Sequence, residues 1–136
     1  MKSTYEAKIN HFSTDKDTWE YESNGKTFTG SVPKEFGGSG EGYTPEHLYT
    51  LSLLNCYIAS LQVIASKSNM DLRASADIEV TLETDKNPPL QKGTIRLKTD
   101  NKPRRLKSVA KKALQHCYIH QSVKTKLTID VNHEEL

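Results

Sequence analysis

Cysteine is scarce in this sequence: Cys56 and Cys117 are the only two in 136 residues, 61 positions apart and in no C-x-x-C pair. That spacing excludes the disulfide framework of a small secreted domain and leaves either buried thiols or a redox pair. An excess of either charge is lacking too. With 19 basic against 17 acidic residues the formal net charge is +2, which lacks the basic footprint of a dedicated nucleic-acid binder. No unbroken apolar run reaches the roughly 18 residues of a spanning helix, and MKSTYEAKIN at the start has no apolar core for a signal peptide. The expectation is a soluble, cytoplasmic protein with no nucleic-acid or membrane partner. The glycine-rich stretch GGSGEG, residues 37–42, lacks both the third glycine of G-x-G-x-x-G and a Gly-Lys-Ser/Thr ending, so it reads as a flexible loop and not a phosphate cradle.

A chain of this length is expected to form a single domain over residues 1–136, burying roughly two thirds of its unfolded surface. Residues 4–11 and 18–23 are rich in Tyr, Trp, Thr and Ile, and the Asn24-Gly25 turn leads into KTFTGSV, residues 26–32. These read as three strands, the last two a hairpin. Alternating runs at 76–84 and 93–99, joined by Asn87-Pro88-Pro89, read as two half-buried strands, and KLTIDV at 126–131 as a last one. The fold class is α+β, in the order βββ-α-ββ-α-β.

Both predicted helices carry a cysteine. The first has Thr44 as its N-cap, Pro45 at its first position and Glu46 at the positive end of its dipole. Leu48, Leu51, Ser52, Leu54, Cys56, Ile58, Ala59, Leu61, Val63 and Ile64 cover most of its circumference, so it is expected to be a central, enclosed helix ending at a left-handed Asn69. The second is expected from Pro103, with Leu106, Val109, Ala110, Ala113, Leu114 and Cys117 inward and Lys107, Lys111 and Lys112 on the wet side.

Each candidate site residue also has an ordinary structural role. Cysteine is among the most buried residue types, and Glu46 serves a helix start. The basic residues of NKPRRLKSVAKK fit a solvated helix face. His116 and His120 flank Cys117, yet no second cluster offers metal-ligand spacing, so no structural zinc site is expected. What favours a functional reading is that the only two cysteines both lie on apolar helix faces.

The stretch VPKEFGGSGEGYTPEHLYTLSLLNCYIASL resembles the segment of OsmC/Ohr proteins in which a glycine-rich loop leads into a Pro-Glu-x-Leu helix start and a cysteine follows ten residues after the glutamate. Here those residues are Pro45, Glu46, Leu48 and Cys56. ALQHCYIHQSVKTKLTIDV is similar to the second family motif, a cysteine near the end of the later helix before the last strand. The resemblance spans most of the chain. It implies an intertwined homodimer and a stress-related, antioxidant organic hydroperoxide reductase, with Cys56 as the peroxidatic thiol, Cys117 as the resolving thiol and Glu46 at the site. It implies no metal or organic cofactor, and a small dithiol or lipoyl group as reductant.

One family feature is missing. The arginine that stabilises the thiolate, upstream of the glutamate, has no counterpart, since Arg73, Arg96, Arg104 and Arg105 all follow Cys56. Lys16 is the first substitute and Lys34 the second, each a point charge where an arginine would bridge two partners. Tyr118 stands where the family commonly has proline. Glu46 and Cys56 are separated by ten residues, about 15 Å of helix, so one straight helix cannot bring them together. If both serve one site, a second chain supplies one of them. The alternative is a non-catalytic or differently catalytic protein of the same fold, binding a small thiol- or acyl-bearing ligand in the interface cleft.

Overall fold

The Asn24-Gly25 pair turns the chain with φ of 54° and 70°, the left-handed geometry of a tight hairpin. It joins β2 (Thr18–Ser23) to β3 (Lys26–Ser31) in antiparallel register, Ser23 opposite Lys26. The computed structural model describes residues 1–101 and 103–133, and the chain divides into two compact units, Met1–Tyr49 and Thr50–Leu136.

In the first unit β1 (Lys8–Ile9), β2 and β3 form one antiparallel sheet. Of the strand expected over 4–11 only two residues pair. Every residue of that stretch is exposed, so there is no burial to extend the pairing. Trp19 and Tyr21 project from one face of β2, and Tyr21 packs on Phe28 at 5.0 Å between ring centroids. A Cβ on Gly30 would lie 2.1 Å from the Tyr21 ring and 2.6 Å from the Trp19 indole nitrogen, so only glycine fits beneath these rings. The segment after the glycine loop returns along β3, with Tyr43 N–H donating to the Thr29 carbonyl at 2.8 Å. It then enters α1 (Pro45–Lys67). Thr44 caps the helix as expected: its Oγ1 accepts from the His47 amide at 3.3 Å, and the His47 ring Nδ1 accepts from the Thr44 amide at 3.2 Å.

The second unit holds most of α1 and a mixed sheet ordered β4 (Ala74–Glu83), β5 (Leu90–Thr99), β6 (Lys126–His133). β5 is central, antiparallel to β4 and parallel to β6, and supplies the fully buried Ile95, Leu97 and Thr99. β4 starts two residues before its expected strand and ends one residue short of it, while β5 starts three residues before its expected strand, toward the turn, which contains a cis Asn87–Pro88 bond. Asn69, at φ 53°, ends α1 in the expected left-handed cap, with Met70 N–H donating to Ala65 at 2.9 Å.

The crossover from β5 to β6 departs from expectation. α2 (Leu106–Gln115) starts three residues after Pro103, and Arg105 precedes it at φ 66°. The single helix expected through Cys117 breaks at His116. Cys117 is extended, at φ −79° and ψ 108°, and α3 (Tyr118–Gln121) follows it. The Cys117 side chain caps this last turn, which gives the break its hydrogen-bond compensation.

α1 also differs from expectation. Within the chain it buries one stripe, Leu53, Tyr57, Leu61 and Ala65, at strict four-residue spacing, while Leu51, Ile58 and Val63 are exposed. Its 23 residues are long and apolar enough to cross a membrane by length and composition. This corrects the expectation that no such helix exists. Ser, Asn, Gln and Thr interrupt the apolar run, but no Asp, Glu, Lys or Arg stands between Glu46 and Lys67.

Candidate active site

Tyr57 fixes the local geometry around the first cysteine. Its ring is fully buried, its hydroxyl donates to the Ala110 carbonyl of α2 at 3.1 Å, and burial pushes its pKa up to about 12. The contact ties α1 to α2 one residue from Cys56 on one helix and shortly before Cys117 after the other.

Cys117 is fully buried, and its Sγ accepts from the His120 amide at 3.4 Å. Cys56 is half-buried, and both cysteines are free. The Cys117 thiol is pushed up to about 11, first by burial and then by a hydrogen bond with the Cys56 side chain. The amides of His120 and Ile119 pull the other way without reversing it. Two thiols 61 positions apart in sequence are therefore near enough to influence one another, the more deeply buried one held neutral. Neighbouring thiols of this kind can exchange to a disulfide once one sulfur is oxidised.

The other predicted site residues belong to the Met1–Tyr49 unit. Glu46 is half-buried in the first turn of α1, ten residues before Cys56. Lys16 is exposed beside a turn, its amide donating to the Ser13 carbonyl at 3.4 Å. Lys34 is exposed in the 3-10 turn Lys34–Phe36.

Two residues were missed by sequence reasoning. Tyr57 was legible as part of the four-residue spacing from Leu53 to Ala65, which the helix's all-round apolarity obscured. His120 was weighed only as a metal ligand. Its Nδ1 is buried without a hydrogen-bond partner among the described residues, while His116 is exposed. Among the described residues no group of three or more His, Cys, Asp or Glu is arranged to hold a metal. A groove of about 430 Å³ runs along α1, lined by Leu54, Ile58, Leu61 and Leu97 and by polar residues that include Gln62 and Asp71. Cys56 does not line it.

Residues 38–132, well over half of the chain, match the family described as OsmC-like protein. The chain belongs to the OsmC-like family. No curated protein matches it. Several solved structures share the OsmC-like fold. An OsmC-like protein of Vibrio cholerae is similar with a TM-score of 0.82 at 16% identity, over 96% of this chain and 99% of that one. An organic hydroperoxide resistance protein of Elizabethkingia anophelis has a TM-score of 0.80 at 14% identity, over 98% and 99% of the two chains. An organic hydroperoxide resistance protein OsmC of Legionella pneumophila has a TM-score of 0.76 at 16% identity, over 98% of each chain. At these identities the likeness establishes the fold, and the α+β architecture expected from the sequence is the one found.

Proposed function

We propose that this OsmC-like protein is a thiol-dependent peroxidase that reduces organic hydroperoxides. The observation that carries the reading is the pairing of a half-buried Cys56 on α1 with a fully buried Cys117 whose thiol it influences, α1 and α2 being tied together by Tyr57 and Ala110. The Cys56 thiolate attacks the distal oxygen of R-O-O-H, the O–O bond breaks, and the alcohol leaves with a proton, so that Cys56 carries a sulfenic acid. Cys117 then gives up its proton and attacks the Cys56 sulfur. The S–O bond breaks, water leaves, and a Cys56–Cys117 disulfide remains. A small dithiol or lipoyl group restores both thiols by taking up the disulfide in two exchange steps. No metal or organic cofactor takes part in this chemistry.

A buried thiol needs a cation to react at neutral pH. Lys16, held by Glu46, is the first choice and Lys34 the second, supplied across a homodimer of 136-residue single-domain chains acting in the cytoplasm, without nucleic-acid or membrane partners. The apolar, uncharged run of α1 suits such an interface, and the neighbours named for organic hydroperoxide resistance support the substrate class.

The test is stopped-flow reaction with an alkyl hydroperoxide. The parent is expected to react far faster than free cysteine and Cys56→Ser not at all. For Lys16→Met, the rate of reaction at neutral pH is expected to fall by about tenfold, worth about 1.4 kcal/mol. A parent no faster than free cysteine would remove the peroxidase reading. It would favour the second one, a small thiol- or acyl-bearing ligand in the cleft. That reading is supported by the absence of an upstream arginine and by a Vibrio cholerae organic hydroperoxide resistance protein with captopril, a thiol, in one of its active sites. A ligand retained in native mass spectrometry would then identify the class.

A further inference from the structure

The chain contains one capping device twice, and only the first copy is closed. At the start of α1, Thr44 is the cap and His47 stands three residues on. Thr44 Oγ1 accepts from the His47 amide at 3.3 Å, and His47 Nδ1 accepts from the Thr44 amide at 3.2 Å. An Nδ1 that accepts carries no hydrogen, so the Thr44 hydroxyl, 2.9 Å away, donates to it as well. This is the reciprocal box in which the third helical residue reaches back over the cap, with an imidazole in place of the usual carboxylate or amide.

At the start of α3, Cys117 is the cap and His120 stands three residues on. Cys117 Sγ accepts from the His120 amide at 3.4 Å, as Thr44 Oγ1 does from His47. The return half is open. The Cys117 amide donates to the Leu114 carbonyl at 3.2 Å and is not left for the ring. His120 Nδ1 is buried with no partner among the described residues. A buried polar nitrogen in that state costs stability, so its retention asks for a reason. The donor that the closed box uses and this one still holds is the cap's own side-chain hydrogen, here the thiol S–H.

We propose that His120 is the proton acceptor of Cys117, its Nδ1 taking the thiol hydrogen as the sulfur attacks Cys56. A turn of the ring toward the position that His47 holds over Thr44 brings Nδ1 to Sγ. The step needs a base, since with the thiol pushed up to about 11 only about one in ten thousand is ionised at neutral pH. The groups that act on Cys117 are the Cys56 thiol of α1 and the amides of His120 and Ile119, with no carboxylate or ammonium among them. The Tyr57 hydroxyl is committed to Ala110, and His116 is exposed. The identity of the attacked group rests on the peroxidase reading. With a sulfenic acid on Cys56, Nδ1 receives the Cys117 proton and returns it to the hydroxyl oxygen. The S–O bond breaks, water leaves and the S–S bond forms, with no net gain or loss of protons.

The test isolates this step without any hydroperoxide. Cys56, the more accessible thiol, is loaded with one equivalent of dithiobis(nitrobenzoate) at acid pH. The second release of nitrothiobenzoate, as Cys117 closes the disulfide, is then followed against pH. The parent rate is expected to level off well below about 11, because the imidazole and not hydroxide takes the proton. His120→Gln is expected to be slower at neutral pH by on the order of a hundredfold, and to climb about tenfold per pH unit toward the thiol's own titration. His120→Glu matches Gln in shape but is a base, and is expected to recover most of the loss. Equal rates in the Gln and Glu variants, or in the parent and the Gln variant, overturn the proposal. A parent rate that climbs to about pH 11 without a plateau overturns it whatever the variants do, and so does a parent that gives no second release. A plateau in a parent that is inert to alkyl hydroperoxide upholds His120 as the acceptor and removes the peroxidase reading alone.

Discussion

Helix α2 completes its pattern inside one chain, and helix α1 does not. In α2 a buried apolar side and an exposed basic side divide ten residues cleanly. In α1, 23 residues carry apolar side chains on most of the circumference, but only Leu53, Tyr57, Leu61 and Ala65 are buried. Leu51 is left 49% exposed and Val63 46% exposed. A helix without charge over most of its length, with exposed apolar residues, carries more apolar surface than its own chain buries. The difference teaches that α2 is an element of the chain's own core and that α1 leaves apolar surface over, which the proposed homodimer would use. The two cysteines follow their helices: Cys117, after α2, is sealed, and Cys56, on α1, is half open.

The contact that joins the two helices gives the largest effect. Tyr57→Ala removes a fully buried ring and its bond to Ala110, and is expected to cost about 3–5 kcal/mol in urea unfolding. An equal loss in Leu51→Ala would erase the distinction between the buried stripe and the rest of α1. Next is the outer side of α1. Ile58→Glu, 36% exposed in the chain, is expected to weaken self-association by about 2–3 kcal/mol in sedimentation, because it buries an unpaired charge between copies. An unchanged profile would mean that this side is not shared.

The pH dependence tests the sealed thiol. Burial, first, and the hydrogen bond with Cys56, second, raise the Cys117 pKa in the folded chain to about 11. A group raised on folding stabilises fully below its unfolded pKa, and that contribution disappears as pH rises through the folded value. Stability of the parent is therefore expected to fall on the order of 2 kcal/mol more than that of Cys117→Ala as pH rises through the range from about 9 to about 11. Parallel pH curves would contradict the burial of a neutral thiol. The smallest effect belongs to the wet side of α2, where Lys111→Ala is expected to change stability by less than about 0.5 kcal/mol.

The same comparison explains what was legible in the sequence. α2, Asn69, Thr44 and the Asn24-Gly25 turn obey local rules of period, capping and φ, which a sequence states directly. The two cysteine motifs were legible through their resemblance to the OsmC/Ohr family, which the match over residues 38–132 bears out at the level of the family. The parallel pairing of β5 with β6 was not, since pairing depends on contacts far apart in the chain. The break at His116 was hidden because Leu114 and Cys117 continue a helical spacing across it. Within α1, apolarity all round concealed which stripe the chain itself buries, so Tyr57 went unnoticed.

The central claim is that Cys56 and Cys117 work as a pair, and one measurement reaches it most directly. The protein is treated with one equivalent of an alkyl hydroperoxide, digested without reduction and examined by mass spectrometry. The account predicts a single cross-linked species joining the Cys56 peptide to the Cys117 peptide, and in Cys117→Ser a sulfenic or sulfinic acid on Cys56 in its place. Both thiols remaining reduced in the parent under excess oxidant would contradict it.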